Sequence, residues 1–379
     1  MATPLRFLHL HSSFNPGGKE LRCARLINLF GPGIEHVIVS AQDGALGAAS
    51  AIAPGMQVAF PQDFPALAGR PTPGRLHRIA EAMRGYDLVL TYNWGAMNAV
   101  MAHTLFGQAL HLPPLVHHED GFNEDEAERL RTSRNWYRRL ALGKTSALVV
   151  PSKRLEWIAR DVWYQPRGRV RRIANGINTS AYGRRSDPRA LPRIIKQPGE
   201  LWLGTLAGLR PVKNLPRLVR AFAALPEEWH LVILGEGPER EVILDTALQL
   251  DLSHRVHLPG HVVDPAKAIG LFDLFALSSE SEQFPISVVE AMAAGIAAVS
   301  PDVGDVRAML ASANRDYVTR TGDEAGLADA LCVLASDRRL REAIGAANQA
   351  RARAEFDEKA MAAAYASVYA GAMGRAVLA

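Results

Sequence analysis

The chain has 379 residues, 48% of them hydrophobic and 22% charged, which is typical of a globular protein with two ordinary domains. No apolar run approaches the ~20 residues that a membrane-spanning helix needs. The net charge of +4 is too small to indicate a nucleic-acid partner, and Cys23 and Cys332 lie too far apart to form a metal-binding motif. The N-terminal residues are interpreted as a β-strand and not as a signal peptide, so we expect a reduced, cytoplasmic protein.

Strand-like and helical runs alternate along the whole sequence, which is the pattern of parallel α/β domains. The predicted strands of the first half are Leu5–His11, His36–Ser40, Gln57–Phe60, Asp87–Tyr92, Pro114–His118, Ala147–Pro151 and Val170–Ala174. Those of the second half are Leu201–Ala207, His230–Leu234, Arg255–Leu258, Leu274–Leu277, Ile296–Ser300 and Asp316–Val318. The stretch Asn178–Glu200, rich in Pro, Arg and Gly, is interpreted as an interdomain linker.

Two clusters of residues in the first half follow predicted strands. The pair Gly17-Gly18 lies between the first strand and a predicted helix, and consecutive glycines let backbone amides approach a ligand closely. The residues His117, His118, Glu119 and Asp120 follow a later strand, where histidine beside carboxylates suits proton transfer. Because adjacent strand residues point to opposite faces, we expect only one of the two histidines to reach the ligand, and either fits.

A basic segment follows at residues 128–144, with six Arg or Lys residues beside Trp136 and Tyr137. We interpret it as a helix with a solvated basic face and packed aromatic rings. The alternative is a surface that lies on an anionic membrane, where lipid-linked acceptors reside.

The most informative stretch runs from Ser278 to Gly295. It contains two carboxylates, Glu282 and Glu290, eight positions apart across a predicted loop-to-helix junction. Pro285 suits the first helical position, and Gly295 is a plausible C-cap. Ligands of open α/β sheets bind beyond the carboxyl ends of the strands. There, the helix N-terminus would attract a diphosphate and the carboxylates would accept bonds from sugar hydroxyls.

This stretch resembles the Glu-x7-Glu signature of family 4 retaining glycosyltransferases. The matching residues are Glu282, Phe284, Pro285, Glu290, Ala291, Met292, Ala293 and Gly295. The resemblance implies the GT-B architecture, an α/β fold in which two Rossmann-like domains face each other across a cleft. We therefore expect domains at 1–180 and 181–353, with a C-terminal helix at about 354–379 that returns to the N-terminal domain.

The resemblance also implies roles for residues in the second domain. Glu282 would hold the sugar hydroxyls, Glu290 the ribose and Lys213 the phosphates, with Phe284, Pro285 and Ile286 forming the donor-binding loop. Family members typically carry an arginine where this chain has Gly208, and we propose Arg210 as its substitute. Backbone groups at Gly260 and His261 would read the nucleotide base, which leaves UDP, GDP and ADP equally compatible.

In the first domain, the resemblance implies donor or acceptor contacts for Gly17 and Gly18 and a catalytic role for His117 or His118. No paired-acid metal motif stands out in the sequence, so we expect no metal or other cofactor, with Lys213 and helix dipoles neutralising the leaving diphosphate.

The sequence thus predicts a retaining glycosyltransferase that moves a sugar from a nucleoside diphosphate sugar to a hydroxyl of a glycan or lipid-linked acceptor. Bacterial exopolysaccharide, capsule or lipopolysaccharide synthesis is the expected setting, at the inner face of the cytoplasmic membrane if the basic helix binds lipid. One alternative is a non-hydrolysing epimerase of nucleoside diphosphate sugars. Another is a catalytically silent partner protein, which the departure at Gly208 permits.

Overall fold

The computed structural model describes residues 4–122, 126, 130–182, 186–262 and 264–378. They form two compact units, unit 1 (Met1–Asn175 with Met361–Ala379) and unit 2 (Gly176–Ala360). The first unit therefore receives its last helix only after the chain has passed through the second.

Unit 1 contains a seven-stranded parallel sheet with the order β3-β2-β1-β4-β5-β6-β7. Its strands are β1 (Leu5–His11), β2 (Ile34–Ser40), β3 (Gln57–Ala59), β4 (Leu88–Tyr92), β5 (Leu115–His118), β6 (Ala147–Val150) and β7 (Val170–Arg172). Its α-helices are α1 (Gly18–Phe30), α2 (Pro73–Ala82), α3 (Met97–Phe106), α4 (Thr132–Ala141) and α5 (Lys153–Trp157) before the chain enters unit 2.

Unit 2 contains a six-stranded parallel sheet with the order β10-β9-β8-β11-β12-β13. The strands are β8 (Leu201–Leu206), β9 (Trp229–Leu234), β10 (Val256–Gly260), β11 (Leu274–Ala276), β12 (Ala298–Pro301) and β13 (Val318–Thr319). The α-helices are α6 (Thr179–Tyr182), α7 (Leu215–Phe222), α8 (Arg240–Gln249), α9 (Ile286–Ala293), α10 (Val306–Met309), α11 (Glu324–Ser336) and α12 (Arg338–Glu355).

The last helix, α13 (Glu358–Ala372), packs on unit 1. Its Tyr369 ring contacts Phe7 of β1 edge to face, with the ring centroids 6.1 Å apart. Tyr365 and Tyr369 are each 1% exposed. The predicted return of the C-terminal helix is therefore confirmed, although the return begins at Met361, because α12 still belongs to unit 2.

The interpretation of Asn178–Glu200 as a linker is wrong. The described residues of this stretch belong to unit 2 and are fastened to it by side chains. Tyr182 donates a hydrogen bond to Glu290 at 2.7 Å, and Lys196 lies 2.5 Å from Asp273. Both partners are far away in sequence, so composition alone did not indicate these contacts.

Across the described ranges, no helix combines the length and the apolar composition needed to cross a membrane.

Candidate functional site

Lys213 ends a short 3-10 turn, Pro211–Lys213, which follows β8. Asn214 terminates this turn with a left-handed backbone (φ 42°, ψ 51°), and its side chain caps α7 by accepting from the amide of Arg217. The Ser278 hydroxyl, from the loop after β11, donates to the carbonyl of Lys213 at 2.9 Å. The loops at the carboxyl ends of two neighbouring strands are thereby held together, at the edge of the sheet where ligands of such folds bind.

Glu282 is positioned by the same pair of loops. Its Oε1 accepts from Lys213 Nζ at 2.5 Å and from Ser279 Oγ at 2.7 Å. The Lys213 and Glu282 side chains are only 16% and 12% exposed. Gly304 backs the loop, since a Cβ there would lie 2.6 Å from the carbonyl oxygens of Glu282 and Gln283. The two residues predicted for phosphate and sugar thus form one ion pair.

Arg210 lies beside Gly208, the position at which the resemblance predicts an arginine. The Arg210 Nε is 3.5 Å from the position that a Cβ on Gly208 would take. The backbone of Gly208 is outside the left-handed region, so nothing in its conformation requires glycine. The following residue, Leu209, donates from its amide to the carbonyl of Glu236 at 2.9 Å, which fixes the loop that carries Arg210.

Glu290 lies on the partly exposed face of α9, together with Ile286 and Ser287 at the start of the helix. The opposite face, with Val288 and Val289, is fully buried. Tyr182, from α6, donates its hydroxyl hydrogen to Glu290 Oε1 at 2.7 Å. This contact fixes the orientation of the carboxylate relative to the helix.

The loop before α9 contains Phe284, Pro285 and Ile286. Phe284 is 9% exposed and packs edge to face on Phe356 with the ring centroids 5.6 Å apart, so its side chain anchors the loop. Pro285 was predicted at the first helical position, but it has φ −70° and ψ 109° and precedes the helix as its N-cap. Of the three side chains, Ile286 is the one that remains partly exposed.

Gly260 ends β10 with φ +103°, and its carbonyl accepts from the amide of Gly235 at 3.0 Å. A Cβ at Gly260 would lie 2.8 Å from Glu236 Oε1. His261 follows and is exposed. Residue 263 lies outside the described ranges. Gly260 thus adjoins the loop that also holds Leu209, next to Arg210.

In chemical terms, unit 2 carries the cations Arg210 and Lys213 on the loop after β8, the carboxylate of Glu282 on the loop before α9 and that of Glu290 on α9 itself. Cations form strong charge-assisted contacts with phosphate, and a helix N-terminus adds amide donors and a positive dipole. Carboxylates accept hydrogen bonds from hydroxyl groups. The arrangement suits a ligand with both a diphosphate and a sugar.

Unit 1 places the Gly17-Gly18 pair at the start of α1, where Gly17 is the N-cap and Gly18 the first helical residue. Glu20 folds back over this start, so that a Cβ on Gly17 would lie 2.7 Å from Glu20 Oε2. Glu20 is 4% exposed and forms an ion pair with Lys19. An internal ion pair therefore lies where we predicted contacts to a donor phosphate or an acceptor.

His117 is completely buried, with Nδ1 2.8 Å from Thr91 Oγ1 and Nε2 3.9 Å from Glu119 Oε2. Arg138 Nε, from α4, lies 3.5 Å from the same Glu119 oxygen. Among the described residues, His117 Nε2 has no hydrogen-bond partner. His117 therefore belongs to an internal polar cluster with Glu119.

His118 points to the other face of the sheet, as the alternation of strand residues predicts. It is 1% exposed, its Nδ1 donates to the carbonyl of Thr91 at 3.1 Å, and its Nε2 accepts from the Tyr369 hydroxyl at 2.9 Å. Burial lowers the pKa of His118 to about 3. Both ring nitrogens are thus occupied within unit 1, and neither histidine presents a nitrogen to solvent.

Asp120 pairs with Arg22 of α1, and its charge also acts on His118, where it partly offsets the lowering of the pKa by burial. Burial would raise the pKa of Asp120, but the Arg22 guanidinium outweighs it and lowers that pKa. Arg22 also donates to Asn175 Oδ1 at 3.0 Å. Because Asn175 is the last residue of unit 1 before the chain enters unit 2, this bond connects that point of the chain to α1.

Two family models match this chain. Residues 23–181 match the model described as Glycosyltransferase Family 4, and residues 192–351 match the one described as Glycosyl transferases group 1. The chain belongs to the group 1, family 4 glycosyltransferases. The part of the chain that matches the second model contains Arg210, Lys213, Glu282 and Glu290.

This glycosyltransferase-family chain is similar to two characterised proteins over part of its length. It is 26% identical over 207 residues to N-acetyl-alpha-D-glucosaminyl L-malate synthase of Bacillus anthracis, covering 54% of each chain. It is 30% identical over 203 residues to phosphatidyl-myo-inositol mannosyltransferase of Mycobacterium leprae, covering 52% of each. Each alignment spans about half the length of the relative.

A solved structure matches the fold of this chain over nearly its whole length. The crystal structure of HepE from Anabaena in complex with UDP matches with a TM-score of 0.79 at 20% identity, over 97% of this chain and 100% of HepE. Together with the two parallel sheets, this similarity confirms the predicted α/β fold class of GT-B proteins.

Sequence reasoning missed Tyr182 and Ser279 as partners of the two carboxylates. Ser279 lies within the signature stretch itself, so its role was open to prediction from the spacing to Glu282. Tyr182 lies 108 residues before Glu290, and the sequence carried no signal that would join them.

Proposed function

We propose that the protein is a retaining glycosyltransferase that transfers a sugar from a nucleoside diphosphate sugar to an acceptor hydroxyl. The observation that carries this proposal is the arrangement of Lys213, Arg210, Glu282 and Glu290 at the carboxyl edge of the unit 2 sheet. HepE, which shares the fold, has been crystallised with UDP and with UDP-glucose, which supports a nucleotide-sugar donor.

In the proposed mechanism, Lys213 and Arg210 neutralise the diphosphate as it leaves the anomeric carbon. They supply the positive charge that a divalent ion supplies at many other phosphate sites, so we propose catalysis without a metal ion. Glu282 would orient the sugar hydroxyls and Glu290 the ribose. The acceptor hydroxyl would attack the same face of the sugar that the diphosphate leaves, with a phosphate oxygen accepting its proton, and configuration would be retained.

We further propose that the acceptor is presented at an anionic membrane surface. On unit 1, the Arg139 guanidinium lies between two aromatic rings, 4.3 Å from the Trp136 centroid and 3.9 Å from the Tyr164 centroid. Trp136 and Tyr164 are 56% and 64% exposed, and Leu140, one helical turn from Trp136, is 62% exposed. Exposed aromatic rings beside a cation suit the interface of an anionic bilayer. The basic segment also included residues 128 and 129, which lie outside the described ranges.

The experiment starts with donor binding. Nucleoside diphosphates and their sugars are screened by thermal unfolding, where a ligand at 100 times its Kd adds about 2.7 kcal/mol of stability. The donor that binds is then incubated with lipid-linked and free glycan acceptors, and the products are analysed by mass spectrometry and NMR. The proposal requires a glycoside whose anomeric configuration equals that of the donor.

Variants separate binding from transfer. Glu282→Ala should keep donor binding but lose turnover, since the sugar hydroxyls shift as positive charge develops at the anomeric carbon. A new free isomer of the nucleotide sugar would identify an epimerase instead. Donor binding without any product from the full acceptor set would identify a silent partner protein.

A further inference from the structure

A cluster of potential metal ligands lies inside unit 1, at the C-terminal end of β1. His9 and His11 are two residues apart on β1 and therefore share a face, and Cys23 faces them from α1. One ligand atom from each residue lies within 4.8 Å of the other two. The three side chains are 3%, 0% and 1% exposed.

His11 is the member of this cluster that hydrogen bonding leaves unexplained. Both of its ring nitrogens lack a hydrogen-bond partner among the described residues, although the side chain is fully buried. Its ring stacks on Tyr92 at 3.9 Å and meets Phe14 edge to face at 5.0 Å. Buried polar groups in proteins are almost always satisfied, so an imidazole enclosed in this way indicates a missing ligand.

His9 is already oriented as a metal-bound histidine would be. Its Nε2 lies 2.9 Å from His36 Nδ1, so that a proton on Nε2 leaves a lone pair on Nδ1, which accepts from the Tyr92 hydroxyl at 3.1 Å and which a metal ion would take over. That Nδ1 lies 3.4 Å from Cys23 Sγ. Histidine ligands usually donate their second ring N–H to a neighbour in this manner, which fixes both tautomer and ring orientation. The Tyr92 hydroxyl, 3.7 Å from Cys23 Sγ, is placed to donate to a thiolate.

We propose that His9, His11 and Cys23 bind a zinc ion. Two imidazoles and one thiolate are a ligand set that suits Zn²⁺, with a fourth position left for water. Binding replaces the thiol proton, which passes to solvent, by a Zn–S bond, and no redox change is involved.

The ion would join the end of β1 to α1 and so hold the connection between them, which leads into Gly17 and Gly18. It is separate from the donor phosphates in unit 2, where we propose catalysis without a metal ion.

The test uses the full chain, purified without a histidine tag. It is reconstituted with Zn²⁺, passed through a desalting column and analysed for metal by mass spectrometry, and a Co²⁺ form is prepared for absorption spectroscopy. We expect about one ion per chain and, for Co²⁺, a thiolate charge-transfer band with tetrahedral d–d bands. Cys23→Ser and His11→Asn should lose the ion, whereas the matched control Cys332→Ser should keep it.

A milder variant guards against loss of folding. His36→Phe removes only the orienting contact to His9 and should weaken zinc binding about 10- to 100-fold in competition with a chromophoric chelator. Folded wild-type protein that retains no zinc would overturn the proposal. So would zinc that Cys23→Ser and His11→Asn both retain, since the ion would then lie elsewhere.

Discussion

Lys213 Nζ and Glu282 Oε1 lie 2.5 Å apart, so the residue proposed for phosphate and the residue proposed for sugar neutralise each other before any donor binds. A diphosphate would attract Lys213 and leave Glu282 free to accept from the sugar hydroxyls. Donor binding and orientation of the sugar would then be coupled through one ion pair.

Replacing Lys213 by Ala should lower kcat/KM at least 100-fold, equivalent to about 2.7 kcal/mol of lost diphosphate stabilisation. Lys213→Arg should recover only part of the activity, because a planar guanidinium places its charge differently from an ammonium group. Steady-state release of the nucleoside diphosphate measures both. Lys267→Ala is the control, since that side chain is 67% exposed and pairs with Asp264 in the same helical turn. Equal losses in the Lys267 variant would contradict a specific role for Lys213.

The hydrogen bond from Tyr182 to Glu290 should contribute to nucleotide affinity. Tyr182→Phe removes one neutral donor to a charged acceptor and should weaken nucleotide binding about 3- to 10-fold, whereas Glu290→Ala should weaken it more. Calorimetric titration of the double variant completes the cycle. If Tyr182 acts through Glu290, the double variant binds no more weakly than Glu290→Ala alone.

Arg210 should supply the positive charge that an arginine at position 208 would otherwise bring to the diphosphate. Arg210→Ala should then lower kcat/KM as Lys213→Ala does, and the double variant should be far from additive because both side chains act on one diphosphate. A relocation test is available because the Gly208 backbone accepts a side chain. Gly208→Arg combined with Arg210→Ala should restore much of the activity. Wild-type turnover by Arg210→Ala would show that Arg210 only faces solvent; Arg338→Ala, at an 82% exposed side chain, is the control.

Acid should destabilise unit 1 through His118. Its pKa is lowered from 6.5 to about 3 in the folded protein, mainly by burial. Between those values the unfolded chain binds a proton at His118 and the folded unit does not. The free energy of unfolding therefore decreases by about 1.4 kcal/mol for each unit by which the pH is lowered. Urea unfolding at pH 7 and pH 5 should therefore show a smaller loss for His118→Gln than for wild type. His254→Gln, at a site 61% exposed, should behave like wild type.

The membrane surface is testable by vesicle sedimentation. Trp136→Ser with Tyr164→Ser should lower binding to vesicles rich in phosphatidylglycerol at least about 10-fold, because two exposed aromatic side chains lose their burial in the interface. High salt should weaken wild-type binding as well. Leu105→Ser, which removes another exposed apolar side chain (58%), is the matched control. Unchanged binding by the double variant would contradict this surface.

The strands were predictable because strands of parallel sheets, buried on both faces, appear in a sequence as hydrophobic runs. All thirteen predicted runs overlap an observed strand, with bounds that differ by a few residues. The pairing of Lys213 with Glu282 was not predictable in the same way, since each residue was assigned to a ligand and neither to the other.

The histidines show a second limit. The sequence placed His117 and His118 correctly at a strand end, on opposite faces. What covers those faces is set by residues distant in the chain: Arg138 lies beside Glu119 on one side, and Tyr369, 251 residues away, donates to His118 on the other. Local patterns give no information about such partners.

The position of α13 has a consequence for the order in which the protein acquires its structure during synthesis. The ribosome makes the first segment of unit 1, up to Asn175, before unit 2, yet the core around Phe7 and Cys23 is completed by Met361, Tyr365 and Tyr369. Unit 2 contains all the strands of its own sheet by residue 319. Unit 2 can therefore fold before unit 1, although most of unit 1 is translated earlier. Unit 1 stays incompletely packed until its final helix has been synthesised.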